Sequence, residues 1–552
     1  SRIDNLSISD FKEIAIVLSR LDNISIADNT SENLISYPSI VDGINLGEEL
    51  DSLEGMYLQI TDTVKIGESI NYYFSYFLSI IDNLILSDSL SETTTPTTTS
   101  IEAYNVAIDA DVRQWQLSFD IYFDGDGSPP TTFTEAELVG WELLEETYAE
   151  GNNPLGAASA NEFTFILDNS ERLFTATNTE SPYYGKLLPN LLVHAYAWLI
   201  TDSIGNYYPV DLGEYRTNDW SSPSNSLETT VICHDDVYEY SQIQTPQMPA
   251  MQTVNLQTMW ANLLKGLNLT ATDFIIDEFT QAIKIGWFNN DMALENFQLL
   301  AERGLGAVYG NRNSQIRVKA FTNLPDPLYF WTDSNQIIVA DLPQDYYNTY
   351  SQVIVKYYQP YVGETETLLS NSYTVPVGGT TIERLQVDSG PVGIYEGVNI
   401  LGASDVTLGT VSLGMWDGTL QLNNTGQEET VTIEIIGRKI EYIQSTVTVE
   451  DTDLKALIGT VTLEIDNHLI QSKEAAESYA AYVLQLVIDP SAYAEISARG
   501  NPNIKLTDTM NITYTNGKIS NLNIIPTRIL HSFRGGLSAQ INAIKKSVRE
   551  LS

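Results

Sequence analysis

The residues with the composition that chemistry requires fall in a few short runs. Cys233-His234-Asp235 places a thiol, an imidazole and a carboxylate side by side, the ingredients of an activated nucleophile. The run from 227 to 235 reads as a strand, however. Neighbouring strand residues point to opposite faces, so Cys233 and His234 cannot readily form a thiolate–imidazolium pair, and a packing role is expected. Asp124-Gly-Asp-Gly127 opens like a calcium loop, but no further ligands follow at the required spacing. A hairpin turn is expected there. Acids also recur around Asp4, Asp10, Asp22, Asp28, Asp42, Glu48, Asp62, Glu68, Asp82 and Asp88. Calcium repeats need a consistent set of glycines to turn the backbone around the ion. That set is lacking, so these acids read as solvated strand ends.

The remaining chemistry is narrowed by counting. One cysteine excludes an intramolecular disulfide and a cysteine-based metal cluster within the chain. A glycan hydrolase needs two carboxylates roughly 5–10 Å apart; the 72 acids could include such a pair, but no stretch isolates one. No catalytic residue, cofactor or metal ligand is expected. With 28 basic residues against 72 acidic ones, the net charge of −44 argues against general nucleic-acid binding. The abundant Tyr, Thr, Ile and Val favour strands and polar-aromatic interfaces. The most apolar run, 191–200, is too short to span a membrane and is broken by His194. Asp4, Asp10, Lys12 and Glu13 leave no signal-peptide core, so a soluble protein is expected.

The elements that carry these residues come in a distinct order. The pattern acid-x-apolar-x-apolar-x-acid starts at Asp4 and returns at Asp22, Asp42, Asp62 and Asp82, at steps of 18, 20, 20 and 20 residues. Alternation within each copy predicts a short strand, and the fixed period predicts one unit stacked five times. The Thr-rich run 89–100 is the clearest linker. Longer strands are expected from Ile101 onward, including one over 115–123 and a strand or short helix over 139–147. Helices are predicted over 252–267, where Leu256, Met259, Trp260, Leu263 and Leu264 share a face, and over 290–303, capped by Asn290 and stopped by Gly304. A third is predicted from a Ser472 cap to the region of Pro490. At about 150 residues per domain, three to four domains are expected.

Several of these segments resemble the hub proteins of phage tails, which sit where a tail tube meets its baseplate or tip. The segment Asn161-Glu-Phe-Thr-Phe-Ile-Leu-Asp168, followed by Ser181-Pro-Tyr-Tyr184, Leu212-Gly213-Glu-Tyr215, Trp220 and the strand ending at Asp235, is similar in order to the family's first barrel. The helix, Gly500-Asn-Pro-Asn503, Ile504-Lys-Leu-Thr-Asp508 and the Asn516-Gly517 hairpin resemble its C-terminal barrel. Tyr346-Tyr-Asn-Thr-Tyr350 and the strand after it match the entry to that barrel. Two positions lack a glycine of the pattern: Thr507 stands where the family has Gly, and Ser314 replaces the Gly of a "d.dG" turn. Leu457-Ile458 also replaces an aromatic residue.

The resemblance implies a mainly β, multidomain protein with two β-barrel domains separated by a small α/β domain. The organisation read from the chain is a repeat region at 1–88, the linker at 89–100, a first barrel at 101–250 and an α/β domain at 251–340. A second barrel follows at 341–535, with an inserted β subdomain near 365–430, and the chain ends in a helix at 536–552. The resemblance further implies a virion component, usually a homotrimeric ring. It would dock to the tail tube or distal tail protein on one side, and to a spike, fibre or tape-measure protein on the other. A receptor-binding adhesin is the alternative that the N-terminal repeats fit better; a virion glycan hydrolase is the other.

At the chain's end Leu537, Ile541, Ile544, Val548 and Leu551 are spaced 4, 3, 4 and 3, the seam of a coiled coil. They are the candidate axial oligomerisation residues, unless the helix lies on the barrel instead. Lys518, Arg528, Arg534, Lys545, Lys546 and Arg549 make this end unusually basic.

Overall fold

The structure is a computed structural model. It describes residues 98–552 apart from 148–154, 203–204, 323, 344–348, 388–389, 403, 490–492 and 547–552. Among the first 97 residues it describes eight short strands by their backbone. The chain divides into two compact units, Ser1–Thr95 and Pro96–Ser552.

In the first unit the repeat becomes a stack. Leu6–Ile8, Ile24–Ile26, Ile44–Leu46, Val64–Ile66 and Leu84–Leu86 form a five-stranded parallel sheet. Leu6 pairs with Ile24, Ile24 with Ile44, Ile44 with Val64 and Val64 with Leu84. Ser39–Ile40, Gln59–Ile60 and Ser79–Ile80 form a second parallel stack with the same period. Each repeat thus supplies the hydrogen-bonding edge of the next, as in a solenoid. The acids that flank these strands lie outside the described residues.

The second unit is organised by one 13-stranded sheet. Its first half runs Thr131–Thr134, Trp115–Ile121, Leu192–Ile200, Tyr207–Ser221, Glu228–His234, Glu162–Asp168 and Leu138–Glu146, all antiparallel neighbours. Leu192–Ile200 shows why these residues form strands: Val193, Ala195, Ala197 and Leu199 are buried while the residues between them are not. The core they share is aromatic, with Phe119 and Phe165 at 4.4 Å and Phe163 and Tyr215 at 5.2 Å between ring centroids. Leu138–Glu146 then pairs with Ile519–Phe533, so the sheet continues into Leu537–Lys545, Tyr493–Ala498 and Ile337–Asp341. Ile496, Leu506, Met510, Ile512, Ile529 and Ile541 fill the core of this second half.

Several expectations change here. Leu537–Lys545 is a strand, antiparallel to both Ile519–Phe533 and Tyr493–Ala498, where a helix was expected. The alternation of Leu537, Ala539, Ile541 and Ala543 carries the signal. A reading that counts only large apolar residues skips the alanines and finds a heptad. Ile541 is buried in the second-half core and Ile544 in the core that also holds Tyr479, Val483 and Val487, so neither is free to form a coiled-coil seam; Val548 and Leu551 lie outside the described residues. Tyr329–Thr332 and Ile337–Asp341, placed by sequence in the α/β region, pair instead with Met510–Tyr514 and Tyr493–Ala498. Ile101–Ile108 is a helix capped by Ser100, where strands were expected from Ile101.

Helices Leu256–Gly266 and Ala293–Arg303 pack through Met259, Trp260, Leu263, Phe297 and Leu300. They lie by a four-stranded sheet of Ala157–Ser159, Gly306–Gly310, Ile316–Ala320 and Phe274–Ile276. Asn255 caps the first helix, and 251–255 is a strand rather than its opening turn. The second begins after Met292, which makes no side-chain cap. Asn290 stands outside it and accepts a bond from Gln244.

Gln352–Val362 opens a separate five-stranded sheet beneath the helix Lys473–Val487, which Ser472 caps. Its longest strand, Glu429–Glu450, spans 22 residues. One end pairs with Gln352–Val362 and the other with Glu366–Val375 and Val392–Leu401. The strands from Glu366–Val375 to Gly418–Asn424 enclose their own core of Leu369, Val375, Leu420, Leu422, Ile433 and Ile435.

Central junction and candidate interaction surfaces

The residues singled out for chemistry are separated by the strand geometry. Cys233 is fully buried in the aromatic core, where desolvation pushes its thiol up. His234 lies on the opposite face, stacked on Tyr238 at 4.3 Å. Asp235 is buried and accepts backbone bonds from Val237 and Asn161, each 3.0 Å, capping the short 3-10 helix Asp236–Ser241. Burial raises its carboxyl to about 7. Glu302 is raised to about 7 by the same cause and accepts a bond from Asn467 at 2.9 Å. Both acids are built into packed contacts between elements. Asp124 and Asp126 of the turn are occupied by Lys186 at 3.0 Å and Arg216 at 2.9 Å. Among the described residues no group of His, Cys, Asp and Glu converges as a metal site would require.

The segments that carry the family resemblance meet at one place instead. Arg312, in the Asn311-Arg-Asn-Ser314 turn, is buried together with Glu145 of the Leu138–Glu146 strand. Its Nε donates to Glu145 Oε1 at 2.9 Å, and Nη2 donates to both Glu145 Oε2 and the Ile504 carbonyl. Nη1 donates to the Pro502 carbonyl. A bidentate pair with its remaining donors on carbonyls is the arrangement that makes a buried charge tolerable. Asn161 Nδ2 donates to the Gly310 carbonyl at 2.6 Å, and a Cβ on Gly310 would collide with Asp235. The Ile101–Ile108 helix closes the junction: Tyr104 donates to Asn501 Oδ1 at 2.6 Å and packs on Tyr208 at 4.8 Å.

The two departures from the family pattern sit on this junction. Ser314 has φ +54° and Thr507 φ +64°, the left-handed region that glycine occupies without strain. Thr507 is further held by Tyr309, whose hydroxyl lies 2.9 Å from its Oγ1. The backbone therefore keeps the turn that a glycine would make, while the side chain at 507 supplies a bond.

Surfaces suited to partners lie away from the junction. The 440–450 portion of Glu429–Glu450 pairs with Gln352–Val362 on one side. Among the described residues no strand covers its other side. It is rich in β-branched and aromatic residues, with Tyr442 51% and Ile443 58% exposed. Long uncovered edges of this composition accept further strands. Leu328 and Phe330, 63% and 65% exposed, mark a second apolar patch at the Tyr329–Thr332 edge. The basic end of the chain is mostly absorbed: Arg528 pairs with Glu146, Lys545 with Asp489, and Lys546 donates to the carbonyls of Leu324 and Pro325. Arg549 lies outside the described residues. No helix of the described residues is long and apolar enough to cross a membrane.

No protein-family model matches the chain, and no curated protein matches it. Solved structures with a similar course include a 43 kDa tail protein of prophage MuSo2 from Shewanella oneidensis. It is 9% identical with a TM-score of 0.45, covering 78% of this chain and 98% of that one. A tail protein from Neisseria meningitidis is 8% identical at 0.43, covering 78% and 96%. A prophage tail protein from Listeria monocytogenes is 11% identical at 0.39, again covering 78% and 96%.

Proposed function

We propose that the chain is a structural hub of a phage tail tip or baseplate, assembled as a ring of three copies. In this reading the ring joins the tail tube or distal tail protein to a spike, fibre or tape-measure protein, and DNA passes through its opening during ejection. The observation that carries the reading is the left-handed backbone at Ser314 and Thr507. These are the two positions where the sequence departs from the hub pattern by lacking glycine, and both keep the glycine conformation at the junction of the resembling segments. The function is mechanical, and no residue is given a catalytic role. The strongly acidic surface suits a channel that DNA crosses without sticking.

The adhesin reading draws on the parallel stack of the first unit, which is a scaffold for display. Light scattering with negative-stain images of one sample separates the two. A particle near three times 61.4 kDa with a central opening is expected. An elongated particle without an opening would favour the adhesin. Within the hub reading, the uncovered 440–450 edge is a contact between copies. Replacing Ile443 by Lys is expected to weaken association about tenfold or more in sedimentation, with the thermal midpoint unchanged. Unaltered association would remove the edge from the interface.

A further inference from the structure

A cavity of about 590 Å³ opens between the two halves of the long sheet. It is lined by Arg113, Trp115, Glu135, Arg499, Phe533 and Leu537, among others. In a chain of net charge −44, two arginines meet here, and neither forms an ion pair with a carboxylate among the described residues. Arg113 donates to the Gly500 carbonyl at 2.8 Å and to Gln336 Oε1 at 3.0 Å. Arg499 donates to the carbonyls of Ala110 and Asp111 at 2.6 and 2.7 Å. These neutral partners fix the guanidiniums in place, with no described carboxylate in ion-pair contact with either. Desolvation and then the neighbouring Arg499 charge bring Arg113 down to about 10, against smaller opposing pulls from Tyr104 and Asp109.

We propose that this cavity binds a small organic acid, its carboxylate beside Arg113 and Arg499 and its apolar body on Trp115, Phe533 and Leu537. The volume is that of a site for a small molecule. The carboxylate would supply the counter-charge that neither arginine finds in ion-pair contact, and the apolar floor selects against a bare inorganic anion. Glu135, also at the cavity, disfavours a ligand with a second negative charge on that side.

The test is ligand-observed NMR and calorimetry on the full chain with 3-phenylpropionate, its neutral amide, and inorganic phosphate. Charge-assisted bonds are expected to give the acid about tenfold or more over the amide, with binding weakened by salt. Arg499→Gln removes one of the two cavity charges, and is expected to weaken the acid several-fold while leaving the amide nearly unchanged. No binding of the acid at about 10 mM, far above what an efficient ligand of this size needs, would overturn the proposal. So would equal binding of acid and amide. Phosphate binding as tightly as the acid would overturn the role of the apolar floor.

Discussion

Replacing Arg312 by Met should destabilise the second unit by about 3–5 kcal/mol, the range for breaking a buried pair and stranding one charge. Glu145 would lose both bonds to the guanidinium while remaining 3% exposed, and the Pro502 and Ile504 carbonyls would lose their donor. The control is the double variant Arg312→Met with Glu145→Leu, which removes both charges. It should recover most of the loss, because hydrophobic replacement of a whole buried pair is often near neutral. Urea unfolding of the wild type, both single variants and the double variant gives the coupling directly. A double variant no better than Arg312→Met would show that the carbonyl contacts, and not the ion pair, hold the turn. Such a result would also change the account of the junction, since Arg312 bridges the Asn311–Ser314 turn, the first half-sheet and the Gly500–Ile504 loop.

How far the sequence reveals this architecture depends on whether the deciding signal is local. The solenoid period is written in each repeat, because every strand pairs with its copy one period on. Ser472 and Asn255 are legible as caps for the same reason. The end strand Leu537–Lys545 is misread because Ala539 and Ala543, small but buried at 2% and 1% exposure, carry half of its alternation. The assignment of Tyr329–Thr332 and Ile337–Asp341 fails for another reason. Their partners lie more than 150 residues later in the chain, and no local pattern specifies a long-range edge. Arg312 itself gives no sign in sequence. It is one polar residue in a polar turn, and its role arises only when Glu145 and Pro502 converge on it. The cavity arginines are equally silent, being separated by almost the whole second unit.

The largest pH effect should come from His531, and its direction follows from burial. His531 lies where the half-sheets join, paired across to Leu143 and Ala539, with both ring nitrogens unpartnered and no exposure. Desolvation, helped by the Arg312 charge, holds its imidazole down at about 3 against an ordinary 6.5. His468, half-buried against Trp287 at 4.1 Å, is held at about 4 by desolvation. For a histidine with a lowered folded value, the unfolded chain takes up the proton first as pH falls. Stability is therefore full above 6.5 and is lost as pH drops toward the folded value, by about 1.4 kcal/mol per unit and group. From pH 6.5 to about 4.5 the two histidines together should cost about 4–5 kcal/mol, while the raised carboxyls of Asp235 and Glu302, which take up protons in the folded chain first, offset a similar amount. His531→Leu, close in volume, should remove about half of the histidine cost, so that the variant gains about 2 kcal/mol on the wild type between pH 6.5 and 4.5. It should also raise stability near neutral pH, because two buried nitrogens without partners are deleted. Urea midpoints at about pH 7 and pH 4.5 for wild type and variant are the measurement, and an equal change in both would disprove the assignment. The same pair of measurements in Arg312→Met links the two predictions. Without the neighbouring cation His531 accepts its proton sooner, so the pH-dependent loss should shrink even as the absolute stability falls.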